Sequence, residues 1–275
     1  MTSIKKDADR RSIRQVLTIA GSDSGGGAGI QADIKAIQAN GAYAMSVITS
    51  VTAQNTKEIG ASFDLPLRVI EEQIKAVFDD FDISAVKTGM LSSKGIVRRV
   101  ALLLKDLNVR NLVVDPVMIS KSDYPLLKPE ALAILKSDLI PLAELVTPNV
   151  HEAEMLADMR IRKISEAEAA ARKIHRLGCR AVLVKGGHLP EAPGLDLLFD
   201  GKEIVSFKGE FIDTRHTHGV GCSYSAAIAT RLAQGKGLVD AVREAKAYIT
   251  ETIRHSLPIG HGQGPTNPFY FIKPE

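Results

Sequence analysis

The chain has 275 residues, of which 45% are hydrophobic and 24% are charged, and its formal net charge is +3. These values are typical of a globular protein with room for one large α/β domain. The small net charge and the aromatic content of 5% argue against a nucleic-acid or membrane-surface partner. The two cysteines, Cys179 and Cys222, are too few for a disulfide framework, and we expect free thiols in a reducing compartment.

The chain begins with a charged segment, residues 1–14, that contains few core-forming side chains. This composition predicts a loose N-terminal tail, followed by a single domain over residues 15–275. We find no apolar stretch with the features of a secretory signal or the length of a membrane span, so we expect a cytoplasmic protein.

Short apolar runs then alternate with longer segments of helical periodicity. The predicted strands are Val16–Ala20, Ser46–Ala53, Ala85–Thr88, Asn111–Val117, Glu144–Thr147 and Ala181–Lys185. The predicted helices are Ile30–Ala39, Leu67–Phe78, Lys94–Leu107, Glu130–Leu139, Glu152–Asp158 and Glu166–Leu177. The strands are almost continuously apolar, as in sheets that are buried on both faces. The pattern predicts an α/β fold with one doubly wound, mostly parallel sheet and helices on both faces.

Leu195–Phe199 and Glu203–Phe207 flank an Asp-Gly turn signal, which predicts an antiparallel hairpin at one edge of the sheet. Glycine or polar residues follow each of the six other strands. Because ligands of open α/β sheets bind outside the carboxyl ends of the strands, these positions predict one long crevice.

The first such position carries a glycine-rich segment after Asp23. Gly27–Ala32 fits the dinucleotide pattern G-x-G-x-x-A. That pattern also needs an acidic residue after the second strand, where Gln54 and Asn55 stand instead. A tight turn beside a small substrate therefore fits better, and a nicotinamide-dependent dehydrogenase is the weaker alternative.

Later strand ends carry Asp115, Asn149, Glu152 and Lys185. The three oxygen donors suit Mg²⁺, although Asn149 and Glu152 also fit a helix capping box. Lys185 ends an apolar strand, where an ammonium group needs an anion to neutralise it. The alternative is a lysine whose charged end reaches solvent.

A last glycine-rich loop, residues 213–223, precedes a helix of small residues. Backbone N–H groups of such a loop and helix terminus can bind a phosphate. Cys222 lies at this terminus, which predicts a lowered thiol pKa, whereas the alternative is a small buried apolar residue. His216 and His218 lie near the site, with no firm role assigned.

Ordered segments along the chain carry a family resemblance. They are Ala20–Ser24, Gly26–Asp33, Val51–Thr56, Lys87–Leu91, Asp115–Met118, Thr147–Glu154, Val184–His188, His218–Ser225 and Gly262–Asn267. Together they resemble the bifunctional hydroxymethylpyrimidine/phosphomethylpyrimidine kinases of thiamine biosynthesis, within the ribokinase-like superfamily.

The resemblance implies an ATP-dependent enzyme, acting with Mg²⁺ and as a homodimer. It would phosphorylate 4-amino-5-hydroxymethyl-2-methylpyrimidine to the monophosphate and then to the diphosphate. The pyrimidine pocket would contain Gly21, Asp33, Gln54, Met90 and Val117. The resemblance assigns Asp115, Asn149 and Glu152 to Mg²⁺ and its waters, Gly219–Cys222 to an anion hole, Lys185 to phosphate and Thr214 to the vicinity of the nucleotide. Gly219, Val220 and Gly221 would therefore also contact the nucleotide, and Cys222 stands where related sugar kinases carry an aspartate base.

Two residues depart from the family pattern: Val220 stands where Thr or Ala is common, and Pro268 where His is common. Pyridoxal kinases of similar sequence are the nearest alternative. A non-catalytic pyrimidine sensor with the same fold is a third hypothesis, although such a protein would not need Cys222, Lys185 or Glu152.

Overall fold

The computed structural model describes residues 13–120, 124–187, 189 and 191–272. Most of the predicted N-terminal tail, residues 1–12, lies outside the described residues, as does His188. No helix in the described part of the chain has both the length and the apolar character needed to cross a membrane.

The described residues form one nine-stranded sheet in the order β3-β2-β1-β4-β5-β6-β7-β8-β9. The strands are β1 (Gln15–Asp23), β2 (Tyr43–Gln54), β3 (Ile59–Asp64), β4 (Ile83–Thr88), β5 (Leu112–Val114), β6 (Leu145–Val146), β7 (Val182–Val184), β8 (Leu195–Phe199) and β9 (Ile204–Lys208). Strands β1, β2 and β4–β7 are parallel, whereas β3, β8 and β9 join antiparallel.

Helices cover both faces of the sheet. They are α1 (Gly29–Ala39), α2 (Leu67–Asp80), α3 (Lys94–Asp106), α4 (Pro129–Ile134), α5 (Val150–Ala157), α6 (Ile164–His175), α7 (Val220–Ala233) and α8 (Leu238–Arg254). Helices α1, α7 and α8 contribute to the hydrophobic cluster on one face, and α2–α6 contribute to the cluster on the other. The predicted doubly wound fold is therefore confirmed, and so is the hairpin.

Four details differ from the sequence predictions. The edge strand β3 and helix α8 were not predicted. The predicted helix Glu130–Leu139 is α4 followed by a π-helical turn, Leu135–Leu139. Strand β1 continues through a register shift to Asp23, so Gly21 and Ser22 lie within the strand. Thr52 donates to the Ser22 carbonyl, and Gln31 contacts both Ser22 and Asp23, so polar contacts replace apolar packing at this end of the strand.

Candidate active site

The crevice predicted at the carboxyl ends of the parallel strands brings three polar side chains together. Asp115 follows β5, and Asn149 and Lys185 form a bridge after β6 and β7. Parallel strands end at one edge, so residues that are 70 positions apart in the chain become neighbours.

Lys185 and Asp115 form a buried ion pair at this edge. Lys185 Nζ lies 2.8 Å from Asp115 Oδ1, and the two side chains are 12% and 2% exposed. Thr147 and Ser225 also donate to the Asp115 carboxylate, each at 3.2 Å. Burial by itself would raise the pKa of Asp115, but Lys185 and then Lys87 hold it below its ordinary value. Asp115 is thus the anion that neutralises Lys185 in this structure.

The glycine-rich loop before α7 lies against this pair. Gly219 has a φ of +81°, and a side-chain carbon there would lie 1.8 Å from the carbonyl oxygen of Gly27. A side-chain carbon on Gly221 would lie 3.3 Å from Lys185 Nζ and 3.8 Å from Asp115 Oδ2. An α-helix leaves the N–H groups of its first turn without partners within the helix. The first turn of α7 and the Lys185 ammonium therefore form a surface suited to a phosphate group.

Cys222 is the third residue of α7, and the backbone N–H of Gly29 donates to its sulfur. The prediction of a lowered thiol pKa is wrong for this structure. Burial raises the pKa of Cys222 to about 12, even though the charge of Lys87 opposes the shift. The desolvation of a thiolate outweighs the helix dipole here, because the dipole contributes only a fraction of a unit charge.

Asn149 and Glu152 form the predicted capping box at the start of α5. The Glu152 N–H donates to Asn149 Oδ1, and the Asn149 N–H donates to Glu152 Oε2, both at 2.8 Å. Glu152 is only 4% exposed, and burial raises its pKa to about 7, with Lys185 opposing and Asp115 reinforcing the shift.

The carboxylates of this site also form a donor set for Mg²⁺. The described residues contain no group of three or more His, Cys, Asp or Glu side chains that could hold a metal by themselves. Two buried carboxylates, Asp115 and Glu152, do lie near enough to each other for their charges to interact. Mg²⁺ commonly binds one or two carboxylates together with waters and substrate phosphates, and this donor set fits that mode.

The residues assigned to a pyrimidine pocket divide into two groups. Gly21 faces Met90, whose sulfur would lie 2.9 Å from a side-chain carbon at position 21. Gln54 and Val117 are half-buried. Gln54 also lines an open crevice with Ser120, His218 and Gln263, among other residues.

Asp33 occupies a different environment. It has no exposed surface, and both of its carboxylate oxygens accept from Lys87 Nζ, at 2.9 and 2.8 Å. Thr18 donates to the same carboxylate at 2.6 Å. Burial by itself would lower the pKa of Lys87, but attraction to Asp33 and other nearby groups raises it. The structure thus places Asp33 in a fully buried ion pair, away from the open crevice.

Sequence reasoning missed Lys87 and a second pair, Asp23 with His218. Lys87 interrupts an apolar run in β4, and that was a usable signal, because a lone charge in a buried strand requires a partner. The Asp23–His218 pair left no such signal, since 195 residues separate its members. Thr214 lies half-buried in the loop before α7, and its hydroxyl accepts from the N–H of His216.

The C-terminal segment packs against the loop before α7. The N–H of His218 donates to the Gly264 carbonyl, and the N–H of Thr266 donates to the His218 carbonyl, both at 3.2 Å. The Gly264 N–H donates to His216 Nδ1 at 3.0 Å. Tyr248 donates to the Pro268 carbonyl at 3.1 Å. The segment therefore supports the glycine-rich loop.

A first helical turn that faces a buried lysine at the carboxyl ends of a doubly wound sheet is suited to a small-molecule ligand that carries a phosphate group. The fold agrees with the crystal structure of Bacillus subtilis pyridoxal kinase bound to ADP, with a TM-score of 0.88 and 37% identity over 94% of this chain and 99% of that one. It also agrees with phosphomethylpyrimidine kinase from Clostridium difficile 630, with a TM-score of 0.79 and 47% identity over 87% and 99% of the two chains.

The phosphomethylpyrimidine kinase family model matches residues 23–267, and the chain belongs to this family. It is 44% identical to the hydroxymethylpyrimidine/phosphomethylpyrimidine kinase of Bacillus subtilis, over 94% of this chain and 96% of that protein. It is also 47% identical to a thiamine biosynthesis bifunctional protein of Geobacter sulfurreducens over 92% of this chain. The chain spans only about half (51%) of the length of that relative.

Proposed function

We propose that the protein transfers the γ-phosphoryl group of ATP to the hydroxymethyl oxygen of 4-amino-5-hydroxymethyl-2-methylpyrimidine, and then phosphorylates that monophosphate to the diphosphate. Membership of a kinase family supports ATP as the donor. The observation that carries the proposal is the approach of Gly221, at the start of α7, to the Lys185–Asp115 pair. A small acceptor can enter from the crevice beside Gln54.

Phosphoryl transfer depends mainly on positioning and on neutralising the charge of the transferred group. The Lys185 ammonium would donate to a phosphate oxygen in addition to Asp115, while the N–H groups of Gly221 and Cys222 donate to the same phosphate. These donors are part of the backbone and are held by the packing of Gly219 on Gly27, so they need little reorganisation during the reaction.

Asp115 and Glu152, with Asn149 holding Glu152 in place, are the residues that would hold Mg²⁺ through its waters. When bound, Mg²⁺ would neutralise charge on the phosphates. Glu152 Oε2 accepts the Asn149 N–H at 2.8 Å, so its carboxylate is held in a defined position before any ligand arrives.

Cys222 is the proposed base for the first phosphorylation, in which an alcohol must lose its proton. Its pKa of about 12 keeps the free protein in the thiol form at neutral pH. The groups that favour the thiolate are the Lys87 ammonium and, to a smaller extent, the Gly29 N–H. The second phosphorylation has an anionic acceptor, which needs little help from a base.

A pyridoxal kinase activity is the second candidate, because the fold matches the Bacillus subtilis pyridoxal kinase over 99% of that structure. The test is a product assay with ATP, Mg²⁺ and each acceptor in parallel. We expect a specificity constant for hydroxymethylpyrimidine that is at least tenfold larger, since a site that pairs with polar ring groups discriminates strongly against analogues that lack them. Equal constants, or a preference for pyridoxal, would contradict the substrate assignment.

Two lysine variants complete that assay. Lys185→Met should lower transfer to either acceptor by roughly a hundredfold or more, as expected for the loss of a charge that stabilises the transition state. Lys202→Met is the matched control, because Lys202 is exposed in the β8–β9 turn. Because β8 runs antiparallel to β7, that turn lies beside the amino ends of the parallel strands, away from the carboxyl ends that form the site. Activity in Lys185→Met equal to that of Lys202→Met would refute the phosphate role.

We also propose that the protein acts as a cytoplasmic homodimer, as its family resemblance implies. Light scattering during size-exclusion chromatography should give about twice the chain mass of 29.6 kDa. A mass equal to that of the single chain would reject the dimer.

A further inference from the structure

His218 lies between a carboxylate and a side-chain amide at the edge of the open crevice. Its Nε2 is 2.9 Å from Asp23 Oδ2 and 3.3 Å from Gln54 Nε2. Its side chain is 12% exposed. Gly27 allows the ring to approach, since a side-chain carbon there would lie 2.3 Å from a ring carbon of His218.

Asp23 is itself rigidly held at the end of β1. Its carboxylate accepts from the N–H groups of Gly25, Gly27 and Ala28, at 2.8, 3.1 and 2.8 Å. Burial would raise the pKa of Asp23, but hydrogen bonds from His218 and Ala28 hold it below its ordinary value. An ionised carboxylate is only an acceptor, so His218 must carry its proton on Nε2 to complete this contact.

This proton restricts the amide of Gln54. A protonated Nε2 cannot accept from the Gln54 NH₂ group, and the orientation of such an amide is settled by its hydrogen-bond partners. Thr52 Oγ1 lies 2.9 Å from the Ser22 carbonyl and 3.1 Å from the side-chain amide of Gln54. Thr52 has one proton, and the carbonyl of Ser22 can only accept it. The amide atom beside Thr52 must therefore be the NH₂ group, which donates to Thr52 Oγ1. The amide atom 3.3 Å from His218 Nε2 must be the carbonyl oxygen, which faces the His218 proton, so the nitrogen and oxygen positions of the Gln54 amide are exchanged.

We propose that His218, held by Asp23, is a positioning residue that fixes the amide of Gln54 so that its remaining N–H is presented to the acceptor in the crevice. The inference rests on the proposed function. It requires that the substrate place a hydrogen-bond acceptor opposite this N–H, and an unprotonated ring nitrogen of the proposed pyrimidine would meet that requirement. It also explains why the loop before α7 carries His218: the residue connects the phosphate end of the site to the acceptor end.

The direct test is the tautomer of His218 in the free protein, read from its ¹⁵N chemical shifts in uniformly ¹⁵N-labelled wild type. We expect a proton on Nε2 at pH 8. A ring protonated only on Nδ1 would overturn the proposal, whatever the protein phosphorylates.

The kinetic test uses His218→Leu and His218→Gln with hydroxymethylpyrimidine and ATP. His218→Leu should raise the KM for the acceptor about tenfold or more, while the KM for ATP changes less than twofold. His218→Gln keeps an N–H donor at the same distance from the backbone and should recover most of the loss. His175→Leu is the control. His175 is the last residue of α6, and its ring packs on Phe199 near the amino ends of the parallel strands, away from the site.

The outcomes separate this proposal from the proposed function. If the wild type phosphorylates only pyridoxal, the proposed function fails, and the same variants still test His218 with that acceptor. If His218→Leu leaves the acceptor KM unchanged, or raises both KM values equally, the positioning role is refuted. If His218→Leu does not fold, Asp23→Asn provides the test. The positioning role would be refuted if this variant had the wild-type KM for the acceptor and the wild-type tautomer of His218.

Discussion

Replacing Gly219 with alanine tests whether the loop before α7 acts through its packing on Gly27. Gly219 has a φ of +81°, a conformation that costs a residue with a side chain about 1–2 kcal/mol. The new carbon would also lie 1.8 Å from the carbonyl oxygen of Gly27. The two segments must therefore separate by about 1.6 Å before they reach an ordinary contact of 3.4 Å.

The chain provides a matched control at Gly235. Its φ is +83°, and a side-chain carbon there would meet nothing within 4 Å. Gly235→Ala thus carries the same backbone cost without the steric clash. We expect Gly235→Ala to lose about 1–2 kcal/mol of stability with kcat unchanged.

Gly219→Ala should lose at least as much stability, together with a fall in kcat of roughly a hundredfold, since a displacement of about 1 Å at a catalytic group can cost that much. Urea unfolding gives the stability of both variants, and steady-state assays at saturating ATP give kcat. If Gly219→Ala kept the kcat of Gly235→Ala, the loop would not require this packing to bind the phosphoryl group.

Three further predictions follow from the buried charges. Lys87→Met should lower the unfolding free energy by about 3–5 kcal/mol, because it leaves Asp33 buried without its partner. Burial already raises the pKa of Asp33, and a carboxyl whose pKa is raised in the folded state favours folding more at low pH than at high pH. The loss of unfolding free energy in Lys87→Met should therefore be smaller at pH 5 than at pH 8. A loss that does not change with pH would contradict this. Cys222→Ala should slow the first phosphorylation much more than the second, and Cys222→Asp should partly restore it. Because the pKa of Cys222 is about 12, the first phosphorylation by the wild type should accelerate as pH rises from 6 to 9 in single-turnover assays. If Cys222→Ala slowed both phosphorylations equally, Cys222 would instead be a structural part of the loop. Glu152→Gln keeps an acceptor for the Asn149 N–H, so its unfolding free energy should change by less than about 1 kcal/mol. The Mg²⁺ concentration that gives half-maximal activity should rise. If that concentration did not change, Glu152 would have only its capping role.

Much of the fold was readable from local pattern. The apolar runs at β1, β4 and β7 and the turn between β8 and β9 were recognisable because side-chain periodicity and turn chemistry act over a few residues. The edge strand β3 was not recognised, because most of its residues are exposed and its sequence, Ile59–Asp64, has no buried face to mark it. Helix α8 does have a regular apolar face, which the sequence analysis did not use.

For the site, strand-end position predicted that Asp115 and Lys185 would lie near one another, and the spacing of Asn149 and Glu152 correctly predicted their capping box. A capping box joins residues three positions apart, so the sequence shows it directly. The shared position of strand ends follows from the fold class, because the ligand sites of parallel sheets lie at the carboxyl ends of their strands. The pairs Asp33–Lys87 and Asp23–His218, and the thiol pKa of Cys222, depend on something else. They arise where α1, β1, β4, the loop before α7 and the start of α7 pack together, and both the choice of partner and the desolvation of each group are properties of that packed arrangement.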